Sequence, residues 1–183
     1  GRLLVERLAS VSLGALNGSI GFRLSGIDAG DLSGASVSSA GDVNGDGFDD
    51  LLIGASLGGT KSSAGESCVI FGGASLPPTI DMATTGAAGI TIFGADVNDY
   101  SGNSVSSAGD VNGDGFDDLI IGASGGDAAG KLKYAAGDSY VIFGKAGGFG
   151  ATVDLASITA GDGSGGYGIQ GERADLSGTS VAS

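Results

Sequence analysis

The feature that most constrains this chain is an acidic loop that leads into an apolar run and occurs twice. "GDVNGDGFDDLLIGAS" occupies residues 41–56, and "GDVNGDGFDDLIIGAS" occupies residues 109–124. Over the longer windows 34–56 and 102–124, 21 of 23 positions are identical. Such close self-similarity at a separation of 68 residues predicts a repeat architecture.

Short apolar runs separated by turn residues make up the rest of each repeat. The chain has 39 glycines and no tryptophan, and runs such as 69–71 and 119–121 are separated by Gly, Asp, Asn and Ser. Because glycine readily adopts the positive φ of tight turns, this pattern predicts short strands. Within one repeat we predict four strands, near 35–40, 50–55, 67–72 and 89–94. The sequence therefore predicts an all-β chain.

Four strands per repeat predict β-propeller blades of four antiparallel strands. We expect about two and a half blades, with lone strands near 21–26 and 178–183. The expected division is a linker and the last strand of a preceding blade at 1–34, one blade at 35–102, a second at 103–171, and the first strand of a following blade at 172–183.

A partial propeller needs a partner to close, since propellers have about 4 to 8 blades. We expect the remaining blades to belong to the same longer chain or to neighbouring copies, so that a homo-oligomer is one possible assembly. A parallel β-roll is the alternative repeat architecture. Its nine-residue period is represented only by "AGDGSGGYG" at 160–168, so the pattern favours blades.

The acidic loops carry oxygen side chains at the spacing of a metal site. At positions 1, 3, 5 and 9 of the first loop stand Asp42, Asn44, Asp46 and Asp50, and the carbonyl of Phe48 at position 7 can face the same centre. The second loop repeats this set with Asp110, Asn112, Asp114, the Phe116 carbonyl and Asp118. Calcium takes 6 to 8 oxygen ligands, whereas magnesium keeps more water. With no histidine for zinc or copper, the loops predict one Ca²⁺ each.

The acidic loops have two other interpretations. An EF-hand or dockerin-like loop needs an acidic ligand at position 12 and a following helix, but position 12 is Ile53 or Ile121, within a predicted strand. Asp, Asn and Gly also favour polar turns without a metal, although two near-identical copies with ligand spacing argue against a simple turn.

The remaining aspartates of the repeat are expected to have structural roles. Asp49 and Asp117, at position 8, are predicted to point away from the ion and to act at a turn or strand edge. A further group precedes each first strand, and we expect satisfied turns there rather than a second metal site. This group comprises Asp28, Asp31, Asp96, Asp99 and Asp175.

The motif DxNGDGxxD, followed by "LLIGAS" or "LIIGAS" and then by "VIFG", resembles the FG-GAP repeat of integrin α-subunit propellers and of many large bacterial surface proteins. The resemblance covers essentially residues 5–183, with Ser56 and Ser124 replacing the proline common at the end of the "GAP" element. It implies a calcium-stabilised β-propeller, usually of about seven blades. It also implies a secreted, extracellular or cell-surface location and a role in adhesion or ligand binding.

Charge and composition argue against several classes of function. The net charge of −13 leaves no basic stripe for a phosphate backbone, so nucleic acid is not an expected partner, and no apolar stretch is long enough to predict membrane insertion. Without histidine there is no Ser–His or Cys–His pair, so we expect no catalysis. The only other candidates for catalysis are Lys131, Lys133, Tyr134 and Tyr140.

Three functions remain in order of preference. The first is a non-catalytic module that binds an unidentified protein or carbohydrate. The second is a subunit of an extracellular fibre or surface layer, joined through open strand edges. The third is a non-catalytic part of a larger propeller enzyme.

Overall fold

A computed structural model describes residues 12–127, 136–172 and 175–182. The described chain is nearly all β, with 35% strand and 9% helix, which confirms the predicted fold class. The strands are β1 (Arg23–Ser25), β2 (Ser36–Gly41), β3 (Asp50–Ala55), β4 (Glu66–Ile70), β5 (Thr79–Asp81), β6 (Gly89–Phe93), β7 (Ser101–Gly109), β8 (Asp118–Ala123), β9 (Asp138–Ile142), β10 (Thr152–Asp154) and β11 (Gly166–Gln170). The one α-helix among the described residues, α1, spans Leu155–Ala160, and 3₁₀ turns lie at Leu13–Ala15, Met82–Thr84 and Gly86–Ala88.

Two units of four antiparallel strands form the body of the structure, and β10 adds a fifth, parallel strand to the sheet of the first unit. The first contains β2, β3, β4 and β6 in that order, and the second contains β7, β8, β9 and β11. Each acidic loop joins the first two strands of its sheet, because β2 ends at Gly41 and β3 begins at Asp50, as β7 and β8 do at Gly109 and Asp118. The four strands predicted within one repeat are confirmed.

One short strand precedes the last strand of the first unit, and another precedes the last strand of the second unit. Each pairs in parallel with a strand that lies earlier in the chain. β5 pairs in parallel with β1, with Ile80 opposite Leu24, and β10 pairs in parallel with β6, with Val153 opposite Ile92. A helical turn follows each of them, and the Oδ1 atoms of Asp81 and Asp154 accept the backbone N–H groups that begin these turns. These parallel connectors were not predicted from the sequence.

Of the two lone strands predicted near the ends of the chain, the structure contains one. The lone strand predicted near 21–26 is β1, but residues 175–182 form a turn and irregular backbone without a strand. In the two blades the corresponding strand pairs with the strand after an acidic loop, whereas no described strand pairs with residues 175–182. The segment instead touches β7, where Ser104 Oγ accepts the Val181 N–H at 3.0 Å.

The first sheet buries both of its faces, which explains why its central strands read as continuous apolar runs rather than as alternating ones. Leu52 and Val69 point to one side and join Leu119 and Ile142 of the second sheet in the larger core cluster. The opposite face packs against the β1–β5 unit and forms a second cluster, which contains Ile53, Cys68, Ile70, Ile80 and Met82. The main core is thus the interface between the two sheets.

Replacing a side chain in this interface should therefore cost more stability than replacing its neighbour in the same strand. Leu52 is fully buried between the sheets, whereas Leu51 is 39% exposed. We expect Leu52→Ala to lower the free energy of unfolding by about 2–5 kcal/mol, through lost burial and the cavity left behind. The matched control, Leu51→Ala, should lower it by about 1 kcal/mol. Equal midpoints for the two variants in urea unfolding would contradict the assigned interface.

Candidate functional site

Asp42, at the first position of the first acidic loop, is held by three backbone N–H groups. Its Oδ1 accepts the N–H of Gly45 at 2.8 Å and that of Asp46 at 3.0 Å, and its Oδ2 accepts the N–H of Gly47 at 2.8 Å. Gly45 and Gly47 have φ values of 75° and 88°, which bend the backbone around the carboxylate. The loop is therefore wrapped around the oxygen atoms of Asp42.

The side chains at positions 3 and 5 join the same network. Asn44 accepts the Asp46 N–H at 2.9 Å with Oδ1 and donates Nδ2–H to Asp46 Oδ2 at 3.0 Å. The other oxygen of Asp46, Oδ1, accepts the N–H of Phe48 at 3.0 Å. The predicted residues at positions 1, 3, 5 and 7 thus belong to one hydrogen-bonded turn.

Asp50, at position 9, fastens the loop to the body of the blade. It is completely buried, and it accepts the N–H of Val43 at 3.1 Å on Oδ2 and that of Gly72, just after β4, at 2.8 Å on Oδ1. Burial raises the pKa of the Asp50 carboxyl to about 6 against the opposing effect of these two N–H groups, and the charges of Asp46 and Asp42 raise it further. The carboxylate therefore lies where additional positive charge would be favourable.

The second loop reproduces this geometry. Asp110 accepts the N–H groups of Gly113, Asp114 and Gly115 at 2.7, 3.0 and 2.9 Å, and Asp114 Oδ1 accepts that of Phe116 at 3.0 Å. Asn112 again accepts from the N–H and donates to the carboxylate of Asp114, at 2.9 and 2.8 Å. Asp118, also fully buried, accepts from Val111 and Gly144 at 2.9 and 2.8 Å, and burial raises its pKa.

The donor chemistry of both loops fits a hard cation. Each offers three carboxylates and one carboxamide oxygen, and an ionised carboxylate has acceptor sites beyond the hydrogen bonds made here. However, no group of three or more His, Cys, Asp or Glu side chains converges as a ready-made metal cluster in the described ranges. The fold brings the predicted ligands into one turn, while their carboxylates bind backbone N–H groups.

Comparison with known families now identifies the repeated unit. A family model described as "FG-GAP repeat" matches residues 33–68 and 101–142, and both matches include an acidic loop. The chain carries two FG-GAP repeats. The resemblance inferred from the sequence motifs is therefore confirmed, and the two sheets are β-propeller blades of this family. FG-GAP repeats are typical of extracellular propeller modules, commonly ones related to adhesion.

The helices of the FG-GAP blades are short connecting turns. Among the residues that the structure describes, no helix has both the length and the apolar character needed to cross a membrane.

The aspartates before each first FG-GAP strand form satisfied turns, as predicted. In the first of these turns Asp31 Oδ2 accepts the Asp28 N–H at 2.9 Å, and in the second Asp99 Oδ2 accepts the Asp96 N–H at 2.8 Å. Asp175 makes the same contact with the Glu172 N–H at 3.3 Å. A carboxylate that accepts a backbone N–H three residues before it is a common turn device and needs no metal.

Sequence reasoning missed a buried acid at the start of the third strand of each FG-GAP blade. Glu66 and Asp138 are both almost fully buried and open the runs "ESCVI" and "DSYVI". Burial raises the pKa of Glu66 to about 7, and the nearby charges of Asp31 and Asp28 add to this increase. The available signal was an acidic residue at the same place in both apolar runs.

The raised pKa of Glu66 predicts a pH-dependent stability of the first FG-GAP blade. The carboxyl of Glu66 binds a proton more tightly in the folded chain than in the unfolded chain. Its contribution to the free energy of unfolding is therefore complete below about pH 4.5 and is lost as the pH rises through about 7. In the presence of a chelator, we expect the free energy of unfolding to fall between pH 5 and pH 7.5. Glu66→Gln, which resembles the protonated form, should reduce this fall.

The control for that experiment is Asp49→Asn, which removes an exposed acid in the same blade. Urea unfolding at both pH values would measure the effect. A pH dependence that is the same in the original chain and in Glu66→Gln would contradict the assignment to Glu66.

Proposed function

We propose that this chain is part of an extracellular, calcium-stabilised β-propeller that serves adhesion or ligand binding and has no catalytic role. The observation that carries the proposal is the pair of acidic loops, which have the same all-oxygen donor set and the same hydrogen bonds although they lie in different blades. Two copies of one metal-free turn would not need three acids in each.

The residues that would hold calcium are the five of each predicted set. In the first loop these are Asp42, Asn44, Asp46, the Phe48 carbonyl and Asp50. The bound ion supplies positive charge to a turn whose acids otherwise repel one another. Hydrogen bonds within the chain orient these groups, since Asp42 accepts three backbone N–H groups and Asp50 connects the loop to Gly72.

The stabilised hairpins would support a binding surface made by other loops. The segments between the second and third strands differ in length between the two blades, at 56–65 and 124–137, whereas the acidic loops have equal length. Variable loops on a constant scaffold are the usual location of recognition residues. We therefore propose that an unidentified protein or carbohydrate ligand binds to these variable segments rather than to the metal loops.

A non-catalytic role agrees with the surroundings of Tyr140, the one candidate for catalysis that lies among the described residues. Tyr140 is buried within β9, and burial raises the pKa of its hydroxyl, so it is a poor proton acceptor or donor near neutral pH. The other three candidates, Lys131, Lys133 and Tyr134, lie outside the described residues.

Calcium titration by calorimetry tests the proposal directly. We expect two ions to bind to the original chain and one ion to each of Asp46→Ala and Asp114→Ala, because each variant loses the central acid of one loop. Asp162→Ala, which removes an exposed acid far from both loops in sequence, should leave two. Two bound ions in both loop variants would show that the ions occupy other places.

Hydrogen exchange provides an independent test of the structural role. We expect the amides of 42–50 and 110–118 to exchange faster after chelation, because the crowded acids lose their counter-charge. Unchanged exchange on chelation would refute calcium as the stabilising group.

A second candidate, a self-assembling subunit of a fibre or surface layer, is favoured by the outer edge of β11. β10 covers the outer edge of β6 and β5 covers that of β1, but no described strand pairs with the outer edge of β11. Tyr167 and Ile169 on β11 are exposed. Unpaired strand edges pair readily with other chains.

Light scattering at constant calcium separates the two candidates. If copies join through β11, the apparent mass should rise with protein concentration, and Ile169→Lys should abolish the rise because a charge on an edge strand opposes pairing. Val37→Lys, on the exposed side of β2, is the matched control. A constant monomer mass would eliminate self-assembly.

A further inference from the structure

The two acidic loops have the same sequence but different surroundings. Val43 of the first loop is completely buried, whereas Val111, its counterpart in the second loop, is 49% exposed. Asp42 and Asn44 are also partly buried, while Asp110 and Asn112 are exposed. The second blade therefore covers the first loop, and no described residue covers the second loop in the same way.

Asp117 makes the central contact of this cover. Its Oδ2 accepts the backbone N–H of Asp42 at 2.9 Å, and its own N–H donates to the Asp42 carbonyl at 3.3 Å. Two further N–H groups of the second blade follow, from Lys145 to the Val43 carbonyl at 3.0 Å and from Gly147 to the Asn44 carbonyl at 3.2 Å. The backbone of three consecutive residues of the first loop is thus fixed by the next blade.

The glycines beside the first loop allow this approach. A Cβ atom at Gly41 would lie 2.1 Å from Asp117 Oδ2, and one at Gly45 would lie 2.3 Å from Phe116 Cε1. At the corresponding Gly109 and Gly113 of the second loop, no atom lies within 4 Å of such a Cβ. The same two glycines therefore face packed neighbours in one loop and open space in the other.

We propose that Asp117 is a positioning residue that makes cation binding by the first loop depend on the second blade. The inference rests on the proposed calcium function. Asp117 fixes the peptide that leads directly into Asp42, the residue whose carboxylate organises the loop, so the ligands lose less conformational freedom on binding. It follows that the first loop binds calcium more tightly than the second.

The test compares Asp117→Ala, Asp117→Asn and Asp49→Ala in the full chain. Asparagine retains an acceptor oxygen at the same place and removes the charge, whereas alanine removes both. Asp49 is the matched control, because it is exposed at the same position and in the same sequence context of the first loop. A calcium titration monitored through the NMR signals of the Gly47 and Gly115 amides measures the calcium affinity of each loop separately.

We expect Asp117→Ala to weaken binding at the first loop by about tenfold, the change typical for the loss of a hydrogen bond to a charged group. Asp117→Asn should restore most of that loss, and neither variant should alter the second loop by a comparable factor. Asp49→Ala should leave both loops close to their original affinity. Equal weakening by Asp117→Ala and Asp117→Asn would overturn the proposal, since it would reduce the role of Asp117 to general charge.

Hydrogen exchange in metal-free protein tests the positioning role without calcium. We expect the Asp42 amide to exchange more slowly than the Asp110 amide, and Asp117→Ala to remove that difference. Equal exchange at the two amides in the original chain would overturn the inference. Absence of calcium binding at both loops would refute the proposed function, whereas binding at both loops with Asp117→Ala indistinguishable from Asp49→Ala would refute this inference alone.

Discussion

The structure depends on buried carboxylates that bind backbone N–H groups. Asp50 joins the amide of Val43 in the loop to that of Gly72 beyond β4, and Asp118 makes the equivalent pair of contacts in the second blade. Each aspartate therefore connects three parts of one blade: a turn, the start of the second strand and the end of the third. A buried acid is costly unless its hydrogen bonds are satisfied, so these contacts hold the hairpin and the rest of the blade in one relative position.

The same choice of residue concentrates negative charge inside an already acidic chain. Burial raises the pKa of Asp50, Glu66 and Asp99, and neighbouring acids contribute in every case. Hydrophobic packing between the blades and hydrogen bonds from backbone N–H groups to carboxylates thus together offset the repulsion between the acids. A cation at the acidic loops would relieve this repulsion where acids lie closest together along the chain, which gives the proposed calcium a structural purpose independent of any ligand of the complete propeller.

Much of the architecture could be predicted from the sequence because it is encoded in local patterns. The repeat, the acidic loop and the apolar run after it fix β2, β3 and their counterparts, and the aspartate turns before each first strand follow from Asx chemistry. The connectors β5 and β10 were missed because three residues carry almost no pattern and their partner is a distant strand. The role of Asp117 was equally hidden, since its partner lies 75 positions away and identical loops give no hint that one is covered.

The parallel connectors have a consequence for how such a chain is made. Thr152 of β10 lies opposite Thr91 at the outer edge of β6, and residues 145–148 close over the first acidic loop, so the first blade is finished by chain that is synthesised well after it. A nascent blade leaves the ribosome with an open strand edge and an uncovered acidic turn. Cooperativity therefore runs backwards along the chain from each new blade to the one before it, and an interruption of synthesis would always leave the most recent blade exposed.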